Sequence, residues 1–86
     1  MKKYYTYLLE NLDEIIYIGS TSNLELRVKN HNDSSQRGWT KKRGPWKLIY
    51  FEEFSTRSEA VVREKFLKKL KAGKRIKEIL KISRNS

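Results

Sequence analysis

Tyr4-Tyr5-Thr6-Tyr7-Leu8-Leu9 and Ile15-Ile16-Tyr17-Ile18, with Asn11-Leu12-Asp13 between them, decide the fold of this chain. Both runs are aromatic and β-branched and too short for helices, and the polar step between them reads as a turn. Two short strands joined so closely form an antiparallel hairpin. Centring the loop on Leu12 sets Tyr7 opposite Tyr17, Leu9 opposite Ile15 and Tyr5 opposite Gly19. Directly opposed side chains share a face, with Cβ atoms about 4.5–5.5 Å apart, and a slip of one residue would separate the two tyrosines. Leu8, Ile16 and Ile18 fall on one face of the hairpin, Leu9 and Ile15 on the other, so helices are expected on both sides of the sheet.

Downstream, Ser22-Asn23-Leu24-Glu25 has the form of a capping box and opens a helix to about His31. Leu24, Arg27, Val28 and His31 share one face of it. Residues 32–45 form a polar, basic loop, and Trp46-Lys47-Leu48-Ile49-Tyr50-Phe51 is a third strand. Thr56-Arg57-Ser58-Glu59 is a second capping box, and its helix runs to about Leu70. Ala60, Glu64 and Leu67 form the stripe of that helix, flanked by Val61, Phe66 and Leu70. After Ala72-Gly73, the residues Ile76, Ile79 and Leu80 mark a last short amphipathic helix within a basic segment at about 74–83. Phe66, Leu67, Leu70, Ile76 and Ile79 are the core residues expected from these helices. The order is ββαβαα, an α/β (α+β) arrangement without repeats or linker.

At 86 residues the chain has room for one domain, and its ten aromatics supply large buried areas per residue. The absence of Cys excludes disulfides, a thiolate zinc site and a cysteine nucleophile. The N-terminus lacks an apolar leader and no 18 apolar residues run together, so a soluble, cytoplasmic protein is expected. The net charge is +10 and unevenly placed. Residues 1–62 carry ten basic and eight acidic groups, net +2, whereas residues 63–86 carry ten basic and two acidic groups, net +8. Such a cationic half suits a polyanion, most often nucleic acid; a solvated Lys-rich face that only confers solubility is the plainer alternative. An anionic membrane is a poorer match, because the few apolar residues there are needed for the core. Lys41, Lys42 and Arg43 in the loop, with Lys68, Lys69, Lys74 and Lys77 in the helices, are the expected nucleic-acid contacts.

Three features could carry chemistry. Glu64 rides the stripe that should be buried, and a buried carboxylate must be paired, protonated or bound to a cation. Mg²⁺ would suit it, since that ion takes one or two carboxylates and fills its remaining positions with water and phosphate oxygens. An ion pair with Arg63, Lys68 or Arg27 would satisfy it equally. Arg27 offers a planar fork for phosphate oxygens, and His31, one turn on, can move a proton near neutral pH; a helix-end cap is the simpler role for a lone His. Tyr7 and Tyr17 could be core aromatics, or phenols that orient or deprotonate a water. Two phenols, an Arg, a His and a carboxylate converge on one side of the sheet, and no Ser-His-Asp set, phosphate-binding Gly loop or His cluster competes with them.

At these residues the chain resembles the GIY-YIG nuclease domain family. Tyr5-Thr6-Tyr7 stands where the family has Gly-Ile-Tyr, and Tyr17-Ile18-Gly19 is a literal Tyr-Ile-Gly. The run from Ser20 to His31 is similar to the family's Arg- and His-bearing helix, and Arg63-Glu64-Lys65-Phe66-Leu67-Lys68-Lys69 to the helix bearing its metal-binding Glu. The likeness spans about residues 4–70 and is greatest to small standalone bacterial members related to the N-terminal domain of the excinuclease. It implies a central three-stranded antiparallel sheet flanked by helices, and Mg²⁺- or Mn²⁺-dependent hydrolysis of a DNA phosphodiester. The resemblance makes Tyr7, Tyr17, Arg27, His31 and Glu64 the catalytic residues, with Glu64 on the metal. Some members carry an Asn after the Glu, and residues 74–81 contain none.

The expectation is therefore one GIY-YIG-like domain over residues 1–86, a DNA endonuclease with Mg²⁺ or Mn²⁺ as cofactor. Its expected setting is DNA repair or recombination, in the cytoplasm and on the nucleoid when bound. No membrane and no small-molecule cofactor enter, and a partner protein would supply targeting. The alternatives are a non-catalytic nucleic-acid-binding module on the same fold, and a small adaptor whose charge serves solubility.

Overall fold

The computed structural model describes residues 2–33, 43–72 and 75–82. Among them the elements run β1 (Tyr4–Glu10), β2 (Ile16–Thr21), α1 (Leu24–Asn32), β3 (Lys47–Phe54), α2 (Arg57–Ala72) and α3 (Ile76–Ile79), the expected ββαβαα order. The strands form one antiparallel sheet in the order β2-β1-β3. β1 is thus the central strand and has helices over both faces. That is why its consecutive residues Thr6, Tyr7, Leu8 and Leu9 are all buried without alternation.

On one face Leu8, Ile16 and Ile18 pack against Leu67 of α2 and Ile76 of α3. The Thr6 hydroxyl donates to the Ala60 carbonyl at 2.7 Å and docks α2 on the central strand. On the other face Tyr7, Leu9 and Trp46 pack against Leu24 and Val28 of α1. Each fully buried Leu contributes about 1.5–3 kcal/mol relative to an exposed one. The stripe of α2 is narrower than expected: Ala60 and Leu67 are buried, but Phe66 is about half exposed, its ring lying 5.2 Å from the Arg63 guanidinium. Ile79 is likewise half exposed, because only one side of the short α3 meets the sheet.

The hairpin register differs from the expected one by two residues. Tyr7 pairs with Gly19, Leu8 with Ile18 and Leu9 with Tyr17. The cause is Asn11. Its side-chain oxygen accepts from Asp13 N at 3.0 Å and Ile15 N at 2.8 Å, while Asn11 N donates to Ile15 O at 3.1 Å. The loop therefore spans Asn11 to Ile15 with its centre at Asp13, and Glu14 takes the left-handed conformation (φ 62°) that closes it. A shift of two leaves every side chain on its expected face, so Tyr7 and Tyr17 remain together, as diagonal rather than direct neighbours.

The helix starts follow local hydrogen bonds. Asn23, rather than Ser22, caps α1: its side chain accepts from Leu26 N at 3.1 Å, and Thr21 Oγ1 accepts from Asn23 N at 3.1 Å. For α2 the capping box forms as expected, Thr56 and Glu59 each accepting from the other's backbone N–H at 3.2 Å. β3 begins one residue after Trp46 and runs past Phe51 to Phe54, with a bulge opposite Leu8/Leu9. Trp46 is held just outside the ladder by the Asn32 side chain, which donates to Trp46 O at 2.9 Å and accepts from Trp46 N at 2.6 Å.

Asn11 is the polar side chain whose loss should be felt most. It is buried, and its amide also donates to Arg43 O at 2.8 Å. Asn11→Ala strands three backbone groups and should lower stability by about 1–3 kcal/mol, as read from urea unfolding. Leu12→Ser, at an exposed neighbour, should stay within about 0.5 kcal/mol of the parent.

Candidate active site

The α1 side of the sheet gathers the residues singled out above. Tyr7 is fully buried, and its phenol lies over Gly19, the cross-strand partner without a side chain. A Cβ built on Gly19 would come within 2.6 Å of the Tyr7 hydroxyl and 2.8 Å of Cζ, so this glycine is a steric requirement. The ring thereby extends to α1, where its hydroxyl meets His31 Nε2 at 2.9 Å. His31 sits between the tyrosines, its ring centroid 5.9 Å from Tyr7 and 4.7 Å from Tyr17. The two tyrosine rings are 6.3 Å apart, and Trp46 stands edge-on behind Tyr17, also at 6.3 Å.

Arg27 lies one turn before His31 and is exposed. Glu64 comes from α2, on the other side of the sheet, yet its charge reaches Tyr7. Burial pushes the Tyr7 phenol up to about 12, with Tyr17 and Glu64 acting in the same direction and the Arg27 guanidinium pulling the other way. Tyr7 is therefore a neutral phenol throughout the physiological range. Burial, then the Arg27 charge, holds His31 below the ordinary imidazole value. Both partners of the 2.9 Å contact are thus uncharged at neutral pH, and one hydrogen bond joins them.

Of the five groups expected on one side of the sheet, Tyr7, Tyr17 and His31 are in mutual contact with Arg27 beside them, whereas Glu64 is carried by α2 on the opposite face, within electrostatic reach of Tyr7. Glu64 is largely covered and pairs with Lys68 at 2.7 Å, one of the three cations considered for it. Among the described residues no group of three or more His, Cys, Asp and Glu is placed to hold a metal; an ion on Glu64 would complete its coordination with water and phosphate oxygens. Of the expected nucleic-acid contacts, Lys69 and Arg43 are exposed, Lys68 is on Glu64, and Lys77 is engaged with Glu10. Lys41, Lys42 and Lys74 lie outside the described residues.

Sequence reasoning did not assign the roles of Gly19 and Asn11. The signal was present in the length of the Asn11–Ile15 step: counted with Asn11 as the last paired residue, it puts Gly19 opposite Tyr7. A further contact was missed. Arg63 donates to both Glu52 oxygens at 2.8 and 3.0 Å, with the Tyr50 hydroxyl on the same carboxylate, and ties α2 to β3 beside Glu64.

Residues 3–77 match the GIY-YIG catalytic domain, and the chain belongs to the GIY-YIG family, whose members are typically nucleases that bind DNA and use divalent metal ions. Among curated relatives it is similar to UPF0213 protein CPE1444 of Clostridium perfringens, 44% identical over 75 residues that span 87% of this chain and 81% of that one. It is also similar to UPF0213 protein YazA of Bacillus subtilis, 40% identical over 72 residues, or 84% of this chain and 73% of the relative. A solved relative, the solution NMR structure of UPF0213 protein BH0048 from Bacillus halodurans, is 32% identical, covers 77% of this chain and 70% of its own, and gives a TM-score of 0.47. Among the described residues no helix is long and apolar enough to cross a membrane.

The partly buried imidazole makes stability depend on pH with a definite sign. Folding lowers the affinity of His31 for a proton, so below about pH 6.5 the unfolded chain protonates first and is favoured. Urea midpoints should therefore fall as pH drops from 7.5 to 5.5, and His31→Gln should remove part of that fall. Equal losses in both proteins would show that His31 is not the responsible group.

Proposed function

We propose that this chain is a divalent-metal-dependent endonuclease that hydrolyses DNA phosphodiester bonds. The observation that carries the reading is the joining of Tyr7, Tyr17 and His31 into one packed, hydrogen-bonded unit with Arg27 beside it and the Glu64 charge felt across the sheet. Two phenols, an imidazole and a phosphate-matched fork meet here, groups that phosphoryl chemistry uses for proton transfer and charge stabilisation.

Glu64 is the residue that would hold the metal. A single, largely covered carboxylate suits Mg²⁺ or Mn²⁺, which complete their coordination with water and with substrate phosphate. When bound, such an ion stabilises charge on the phosphoryl oxygens and lowers the pKa of bound water. The protein's own groups do the rest. Arg27 binds the scissile phosphate through two parallel donors. Tyr17 orients the attacking water and passes the water's proton toward neutral His31, while the P–O bond to the leaving sugar oxygen breaks and that oxygen takes a proton from solvent. Tyr7, un-ionised, fixes the imidazole through the 2.9 Å hydrogen bond. The net charge of +10 favours a polyanionic substrate, with Arg43, Lys68 and Lys69 as contacts together with Lys41, Lys42, Lys74 and Lys77. Repair or recombination is the setting such a cut would serve, in the cytoplasm and on the nucleoid when bound, with a partner protein choosing the substrate.

Nicking of supercoiled plasmid in Mg²⁺ or Mn²⁺ tests the reading. Wild type should nick; Glu64→Gln should fall to background while still retarding DNA in a gel, since the amide keeps the shape but not the charge. Cleavage by Glu64→Gln at the wild-type rate would sink the metal assignment, and DNA retardation without any metal-dependent nicking by wild type would leave a binding module instead. Tyr17→Phe should cost roughly 10²-fold in rate, the usual scale of a lost proton-transfer group, with DNA affinity little changed. Arg27→Lys should be nearly as slow as Arg27→Ala, because an ammonium cannot make the paired contact.

A further inference from the structure

The two ends of the Glu64–Lys68 pair are unequal. They lie one turn apart on α2 with Oε2 and Nζ 2.7 Å apart, but the Glu64 side chain is 18% exposed and that of Lys68 is 55% exposed. The carboxylate is held by its surroundings, whereas the ammonium is on a four-carbon stem that can swing into solvent. A divalent ion and an ammonium repel each other at the same carboxylate, so whatever binds metal at Glu64 must first displace Lys68. The released ammonium can stay in water or, where one is near, settle on another anion. An i,i+4 pair with an exposed cation is weak enough to be exchanged, and a DNA phosphate arriving beside the site is the anion that the proposed substrate brings.

We infer that Lys68 is an exchange residue: it neutralises Glu64 in the free protein and moves to a DNA backbone phosphate in the complex, releasing the carboxylate to the metal. This rests on the metal role proposed above for Glu64. Metal and DNA each favour the arrangement in which Lys68 has left Glu64, so each strengthens the binding of the other by the same factor. The free protein then binds the ion a few-fold more weakly than the DNA complex does.

The test uses the full chain with Mn²⁺ alone as probe, followed by water-proton relaxation, for wild type, Lys68→Met and Glu64→Gln. Methionine keeps the helix propensity and most of the stem. Lys68→Met should bind Mn²⁺ about two- to fivefold more tightly than wild type, the range expected for loss of an exposed pair, and Glu64→Gln should bind more weakly than both. In EDTA, the slope of log K against log salt for a short DNA duplex should be flatter in Lys68→Met by about 0.9, the value for one phosphate contact. If Glu64→Gln loses Mn²⁺ and Lys68→Met gains nothing, the exchange is wrong and the metal assignment stands. Tighter Mn²⁺ with an unchanged salt slope overturns the transfer to phosphate. Mn²⁺ binding by Glu64→Gln equal to wild type removes the metal assignment, and the exchange with it.

Discussion

Tyr7 is buried to zero exposure with its phenol over the Cα of Gly19, and the site on this face of the sheet depends on that overlap. Any larger residue at position 19 would force the ring aside, since a Cβ there comes to 2.6 Å of the hydroxyl oxygen. With the ring in place, its hydroxyl reaches across to α1 and meets His31, and the imidazole is wedged against Tyr17. The same burial that packs the core keeps Tyr7 protonated and His31 neutral. Packing and proton chemistry are one constraint here.

Two carboxylates on the α2 side show how differently the fold treats acids. Although burial pushes Glu52 up, the paired hydrogen bonds from Arg63 and the Tyr50 hydroxyl outweigh it and hold the carboxyl below its usual range. That pair is bidentate and partly covered at both ends, which suits a fixed strut between β3 and α2. Glu64, the next residue after Arg63, is covered as well but meets a single, half-exposed ammonium. The strut ties α2 to β3 at the residue next to Glu64.

Much of this was legible in the residues themselves. The hairpin faces, the two helix starts and the α1 stripe followed from alternation, capping signals and i,i+4 spacing, because each is a local property. The convergence of Tyr7, Tyr17, Arg27 and His31 was legible for the same reason: face assignment survives a register shift of two. The register itself was not, since it turns on which atoms the buried Asn11 side chain accepts from. The choice among Arg63, Lys68 and Arg27 as partner of Glu64 was equally out of reach. It depends on Glu52, eleven residues away from Arg63, claiming that guanidinium first. The exposure of Phe66 depends on where α2 docks, which Thr6 and Ala60 decide.

The most direct test of the central constraint is an NMR titration of the chain's single histidine in wild type and in Gly19→Ala, with a dispersed amide spectrum confirming that the variant is folded. In wild type the His31 ring should titrate below the ordinary imidazole value of about 6.5. In folded Gly19→Ala the displaced Tyr7 ring should admit water to the imidazole, and its titration should move back toward that value. Superimposable titration curves for the two folded proteins would contradict the account, because the glycine would then not be what seats Tyr7 against His31.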